Sequence, residues 1–329
     1  MRIKIFFKKS YWTLKKFIMA SPKDKVWLIL NSYIPKLSLA YQRWFNFNGK
    51  FDFENRARGQ KKLLIVVAGY KDFLWEVVFG RIKKFLDNDI DVCILSPGLV
   101  DKRLQSIAKK NNWSYLSTKE NKLSLAQNIA IKLHPKAKLI YKLDEDIFIT
   151  KNYFSNLEKT LLKIKKDDIY HPGFVAPVIN VNGFTYIHFL KQISKEKEYY
   201  QKFGELRVAC MGVKAHYDPK AGIFLWEKSL PLDQIAKNFS KNYNYVVIPH
   251  RFSIGAILFE RKLWEEMGFF KVALKGSLGL EEEELCRFCH LESYPGFVSL
   301  NTLVGHFGFG PQNEEMKKFF LANKAKFLE

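Results

Sequence analysis

The chain has 329 residues, 47% of them apolar and 29 of them phenylalanine, which is enough for a sizeable core in one large or two medium domains. Its formal charge of +21 points to an anionic partner: a nucleic acid, an acidic membrane face or a phosphorylated substrate. Four irregularly placed cysteines (Cys93, Cys210, Cys286, Cys289) do not make a disulfide framework, and no stretch approaches the ~20 apolar residues of a membrane span.

Residues 1–60 form a basic, aromatic extension expected to be helical. Through Lys62 there are fifteen Lys and Arg against three acids, a net of +12. Phe6, Phe7, Tyr11, Trp12, Phe17 and Trp27 interleave the lysines. Such a helix suits an anionic lipid interface, where burial and charge attraction add. Aromatics packed on the main domain with solvated lysines are the second reading, and a nucleic-acid backbone is the least favoured. Lysines interrupt every short apolar start, so no secretory signal is seen. The expected location is cytoplasmic, peripheral at the inner face of a membrane.

The main domain, residues 61–329, opens with the buried strand Leu63–Ala68, ended by Gly69-Tyr70. A helix over 73–87 carries its apolar stripe on Val77, Val78, Ile82, Phe85 and Leu86. Strand 91–95 stops at Ser96-Pro97-Gly98. A helix over 100–111, a short strand 113–116 and a helix over 123–133 follow. Strands alternating with helices predict a mostly parallel α/β sheet with Rossmann-like winding. No G-x-G-x-x-G follows the first strand, which argues against a dinucleotide site.

The next strand, Leu139–Leu143, ends in Asp144, Glu145 and Asp146. Ligands of open α/β sheets collect beyond the carboxyl ends of strands. Two carboxylates there, at i and i+2, can share one divalent cation, and Mg²⁺ or Mn²⁺ typically binds one or two carboxylates plus substrate phosphates. The chemistry suggested is a metal–diphosphate site.

The second half is less regular. Residues 174–181 read as a strand with Pro177 at an edge or bulge, 245–248 and 254–259 as short strands, and 261–267 as a helix ending at Gly268. Four glutamates, 281–284, begin an apolar helix. The Cys286–Cys289 spacing suits one helix face, so both thiols are expected in the core rather than on zinc. Residues 303–306 lead into a Gly-rich loop, and 314–328 form a closing helix.

In this order the motifs resemble a family-2-type glycosyltransferase of the GT-A fold, over roughly residues 61–310. The resemblance rests on LLIVVAGY (63–70), KLSLAQNIAI (122–131), LDED (143–146), and IGAILFERKLWEEMGFF (254–270) followed by GLEEEEL (279–285). It implies a GT-A sheet flanked by helices and an inverting, Mn²⁺- or Mg²⁺-dependent hexosyl- or N-acetylhexosaminyl-transferase. The donor is then a nucleotide-diphosphate sugar, expected to be UDP-linked. The acceptor is a glycan or lipid-linked sugar of bacterial surface polysaccharide synthesis. Asp146 and His306 are implied metal ligands, with Asp144 on the ribose or the metal. Ala68, Gly69, Tyr70, Ser96 and Asn128 border the nucleotide. Glu282, or Glu281 beside it, is the base. The sequence departs from the family pattern at Gln127 (usually Arg), Lys122 (usually Gly), Ser96-Pro97 (where an acid often reads the base) and the all-glutamate run.

Two other classes compete. A haloacid-dehalogenase-like phosphatase also carries a D-x-D, but after its first strand. A non-catalytic basic membrane- or nucleic-acid-binding protein explains the charge and leaves the acidic strand end without a purpose.

Overall fold

The computed structural model describes residues 44–210, 212–273, 279–308 and 312–328. The chain divides into two compact units, Met1–Asn48 and Gly49–Glu329. Of the first unit only a helical turn is described, in which Phe47 and Asn48 donate to the carbonyls of Trp44 and Phe45. The membrane-facing helix expected from the sequence falls mainly on residues 1–43, outside the described residues.

The second unit begins with β1 (Phe51–Glu54) and β2 (Lys62–Val67), then a 3-10 turn (Asp72–Leu74) running into α1 (Trp75–Phe85). β3 (Ile90–Pro97), α2 (Lys102–Lys110), β4 (Ser114–Thr118), α3 (Leu123–Leu133) and β5 (Leu139–Asp144) follow. Next come β6 (Ile147–Phe148), α4 (Tyr153–Asp167), β7 (Phe174–Ile179), α5 (Thr185–Gln192), α6 (Glu196–Phe203), α7 (Lys214–Tyr217), α8 (Pro219–Ser229) and α9 (Leu232–Phe239). The chain closes with β8 (Tyr245–Val247), β9 (Ala256–Glu260), α10 (Arg261–Glu266), α11 (Leu280–Leu291), β10 (Phe297–His306) and α12 (Asn313–Leu328).

The strands form one sheet in the order β1-β4-β3-β2-β5-β9-β7-β10-β6, with β8 also on β10. The run β4-β3-β2-β5 is parallel throughout, and β7 lies parallel to β10. This is the largely parallel, helix-flanked α/β sheet expected from the sequence. Its central strands are continuous apolar runs because helices cover both faces: Leu63–Val66 and Cys93–Leu95 have no exposed surface. Two helix starts follow side-chain capping chemistry. Asp101 accepts from the Arg103 and Leu104 N–H groups before α2, and Asp218 caps α8 ahead of Pro219.

Two departures, at residues 51–54 and in β10, and the bulge expected at Pro177 have local causes. Residues 51–54, expected in the helical extension, are strand β1: Phe51 and Phe53 alternate with Asp52 and Glu54, a period of two, and β1 pairs antiparallel with β4. Pro177 lies inside the sheet, at a bulge, where the pairing of β7 with β10 jumps from Ser299 to Leu303. β10 runs for ten residues, a strand that the sequence reading did not give, and its polar Ser299, Asn301 and Thr302 hydrogen-bond among themselves at the irregularity.

From β2 the chain winds outward through β3 and β4, then returns past β2 to lay down β5. Val67 and Asp144 are register partners at the carboxyl ends of the two strands. That junction is the topological switch point, where crevices open in α/β sheets.

Candidate active site

The three acids after β5 diverge because each faces a different neighbour. Glu145 turns back to β2. Its carboxylate accepts the N–H groups of Gly69 (2.9 Å) and Tyr70 (2.8 Å) and the Trp75 indole N–H, while its own N–H donates to the Val67 carbonyl. Burial pushes its carboxyl up, and these donors pull it back. It fixes the loop that the sequence assigned to the nucleotide. Ala68 is fully buried beneath that loop, and Tyr70 is 65% exposed with its ring free of the core.

Asp146 is 4% exposed and points to the other side. Its Oδ2 accepts from Lys71 Nζ and lies 3.5 Å from His306 Nε2. β10 brings the histidine there: His306 pairs with Ile147, and the Phe307 N–H donates to the Asp146 carbonyl. His306 is held tightly. Its Nδ1 bonds the Val181 carbonyl (2.8 Å), its backbone N–H bonds Asn180 Oδ1 (2.8 Å), and its carbonyl takes the Trp226 indole N–H. Gly305 precedes it because a Cβ would lie 2.2 Å from the Trp226 ring. Burial opposes ionisation of Asp146, but Lys71 and His306 reverse this and hold its carboxyl well below the usual range. Burial likewise lowers His306, and Asp146 more than offsets it.

Asp144 takes a third direction. Its Oδ1 accepts from Lys142 Nζ at 2.6 Å, and its Oδ2 abuts Gly255. A third of its side chain is open, yet packed protein on its other sides pushes its carboxyl up, with Lys142 opposing and Asp146 adding to the rise. Lys142 itself is buried.

The residues therefore offer a divalent cation two ligands, a carboxylate oxygen and an imidazole nitrogen. The Nδ1–H···O=C bond to Val181 fixes the tautomer that leaves Nε2 for a metal. Mg²⁺ and Mn²⁺ commonly take one or two carboxylates and complete their shell with phosphates and water. The pair fits such a site. Among the described residues no group of three or more His, Cys, Asp and Glu is arranged to hold a metal.

The glutamate run at the start of α11 also diverges. Glu281 is 3% exposed, its Oε2 3.5 Å from Ser124 Oγ, and burial pushes its carboxyl up. Glu282 accepts from Arg251 Nε (2.8 Å) and the Ile254 N–H (3.3 Å), with 17% of its side chain open. Glu284 pairs with Arg287 on the surface.

Two residues expected on the nucleotide are structural instead. Asn128 is fully buried on α3, where its amide donates to the Phe270 carbonyl and accepts from the Trp264 indole and the Phe270 N–H. It ties the 264–270 segment to α3 and has no free surface for a ligand. Ser96 is fully buried; its Oγ donates to the Leu99 carbonyl and meets Tyr115 Oη, shaping the 96–99 turn. Cys286 and Cys289 pack in the core, and burial pushes the Cys286 thiol up to about 12.

The sequence reading missed Lys71, Glu145 and Asn180 as parts of this arrangement. Glu145 carried a local signal, lying between the two aspartates at a strand end, whereas Lys71 meets Asp146 only through the β2–β5 pairing. Asn180 carried none, since only the β7–β10 register brings it to His306.

No protein-family model matches the chain, and no curated protein matches it either. Solved structures similar to it include a mannosyltransferase from Pyrobaculum calidifontis in complex with GDP-mannose and Mn²⁺. That match has 11% identity and a TM-score of 0.46, covering 92% of this chain and 73% of the other. A second is GalNAc-T7 with UDP, GalNAc and Mn²⁺, at 12% identity and a TM-score of 0.44, covering 80% of this chain but only 48% of the other. A cytidylyltransferase from Leptospira borgpetersenii matches over 36% of this chain and 54% of its own, at 18% identity and a TM-score of 0.27. At these identities and scores, the functional reading rests on the site's own residues.

Proposed function

We propose that the chain is an inverting, metal-dependent glycosyltransferase of the GT-A type. It would move a sugar from a nucleotide-diphosphate donor, with UDP the expected carrier, to a glycan or lipid-linked acceptor of a bacterial surface polysaccharide. The observation that carries this reading is the pairing of buried Asp146 with His306 at the switch point, beside a loop whose N–H groups are already fixed by Glu145. The strongly basic, aromatic start of the chain suits an acceptor held at an anionic membrane face.

Asp146 and His306 would hold Mn²⁺ or Mg²⁺. Bound there, the ion neutralises the diphosphate leaving group as a Lewis acid. The Gly69–Tyr70 backbone borders the nucleotide, and the exposed Tyr70 ring stacks on its base. Asp144, at the mouth of the crevice, meets the ribose.

Glu282 is the base. A base for an incoming hydroxyl needs an open approach and a fixed direction. Glu282 has both, since Arg251 and the Ile254 N–H orient a side chain that remains partly open. Glu281 is enclosed and braces the helix start against α3. In the reaction the acceptor oxygen bonds the anomeric carbon as the bond from that carbon to the diphosphate oxygen breaks. The hydroxyl proton passes to Glu282.

Nucleotide release from UDP-, GDP-, CMP- and dTDP-sugars, with Mn²⁺, Mg²⁺ or EDTA, tests the reading. EDTA-sensitive release from one donor, lost in Asp146→Asn, is expected. No release, together with no metal-dependent thermal shift by any nucleotide, would move the assignment to a basic binding protein.

A further inference from the structure

Lys71 is the one cationic side chain that reaches into the Asp146–His306 pair among the described residues. Its ammonium contacts Asp146 Oδ2 and, at 2.6 Å, the Gly308 carbonyl. The same Oδ2 faces His306 Nε2. Both partners of the ion pair are largely enclosed, with side chains 14% and 5% exposed. Lys71 thus sits on the carboxylate oxygen that a metal ion bridging Asp146 and His306 would use.

A divalent ion held by Asp146 and His306 would stand close to the ammonium, where a doubly and a singly charged cation repel strongly in a water-poor site. The two would compete for Asp146. Lys71 has another place to go. Its backbone follows Gly69 and Tyr70, whose N–H groups Glu145 pins at the mouth of the crevice, and its four-carbon stem swings about that fixed root. A diphosphate arriving at the switch point offers the ammonium fresh anionic oxygens.

We propose that Lys71 is a positioning residue that holds the place of the metal: its ammonium neutralises Asp146 and excludes divalent cations until a nucleotide diphosphate draws it away. This rests on the glycosyltransferase reading of the site. It makes nucleotide and metal binding strongly cooperative, and it keeps the buried Asp146 charge paired in the empty site, where an unpaired carboxylate would be costly. Lys71 then moves from Asp146 to the phosphates, and the site never holds both cations on one oxygen.

The test is direct Mn²⁺ binding, read by the electron paramagnetic resonance of free Mn²⁺. The full chain is titrated with and without UDP or GDP. Lys71→Met removes the charge and keeps the stem. Lys71→Gln removes the charge and keeps a hydrogen-bond donor for Asp146 and Gly308. Lys71→Arg keeps the charge. Without nucleotide, the Met and Gln variants should bind Mn²⁺ at least about tenfold more tightly than the wild type, and the Arg variant should resemble the wild type. Adding Asp146→Asn to Lys71→Gln should abolish the gain. A merely structural lysine would not separate Arg from Gln in this way. Equal or weaker Mn²⁺ binding by both neutral variants, with Asp146→Asn still weakening the wild type, would overturn the proposal and leave the metal site standing. Mn²⁺ binding indifferent to Asp146→Asn in every background would overturn the metal site and the proposal together.

Discussion

The molecule carries two runs of consecutive acids, and the chain treats them differently. Asp144, Glu145 and Asp146 leave a strand end, where successive side chains point to opposite sides. They reach Lys142, the Gly69–Tyr70 loop and the Lys71–His306 pair, three separate walls of one crevice. Glutamates 281–284 start a helix, where successive side chains turn by about 100°. They fan from a buried contact with Ser124, through Arg251, to the surface at Arg287. In each run one acid is enclosed and a neighbour stays partly open. An acidic run therefore says little by itself; the wall each carboxylate faces decides its work.

The largest effect should come from the proposed base. Glu282→Gln removes the proton acceptor and retains the shape and a hydrogen bond to the Ile254 N–H. Transfer should fall by about 10²–10⁴-fold, while metal-dependent nucleotide binding, followed by thermal shift, stays near the wild-type value. Glu281→Gln should cost far less in rate. The reverse ranking would make Glu281 the base and Glu282 the brace.

The braces separate the runs by stability. Glu145→Gln replaces a carboxylate accepting three N–H groups with an amide that turns a donor towards one of them. The loss should be about 2–4 kcal/mol, since hydrogen bonds to charged groups contribute ~1.5–3 kcal/mol each and an unsatisfied buried donor adds its own penalty. For a unit of this size that is about a 3–7 °C fall in melting temperature. Glu284→Gln, breaking a surface i,i+3 pair with Arg287, should change stability by less than about 0.5 kcal/mol. Comparable losses in the two variants would remove the contrast between a loop-fixing acid and a decorating one.

The parallel half of the sheet was legible because strands buried on both faces are written as unbroken apolar runs. α3 was read at Leu123–Leu133, the bounds the structure shows. Asp144 and Asp146 were legible for a related reason: charged residues directly after such a run must lie at a strand end. In the other half β7, β8 and β9 were read to within two residues of their bounds, and the strands that escaped had local disguises. β1 hid among lysines, and β10 hid behind Asn301 and Thr302. Residues whose work depends on register between distant strands were not legible from spacing. Lys71 meets Asp146 only because β2 lies beside β5, and Asn180 meets His306 only because β7 lies beside β10. Asn128 shows the opposite limit. Its place in a helix before the acidic strand suggested a ligand contact, while Trp264 and Phe270 engage both polar atoms of its side chain.

The smallest effect concerns a second histidine that feels the first. His216, on the short helix α7, is pushed down to about 4 by burial and by the nearby charge of His306. The folded chain thus resists protonating His216, whereas the unfolded chain takes up that proton near the ordinary histidine value of about 6.5. Below that value the unfolded state binds more protons, so His216 lowers stability progressively as pH falls from about 6.5 towards 4 and has no effect above this window. Carboxylates also titrate at the acid end, so the wild type alone does not isolate the term. His216→Gln, which keeps a polar side chain and cannot titrate, should flatten the curve. The difference between wild-type and variant denaturant midpoints should be constant above pH 7 and shift steadily against the wild type below pH 6. A difference that stays constant to pH 4.5 would show that His216 protonates in the folded chain as easily as in water, and that the charge on His306 does not reach it.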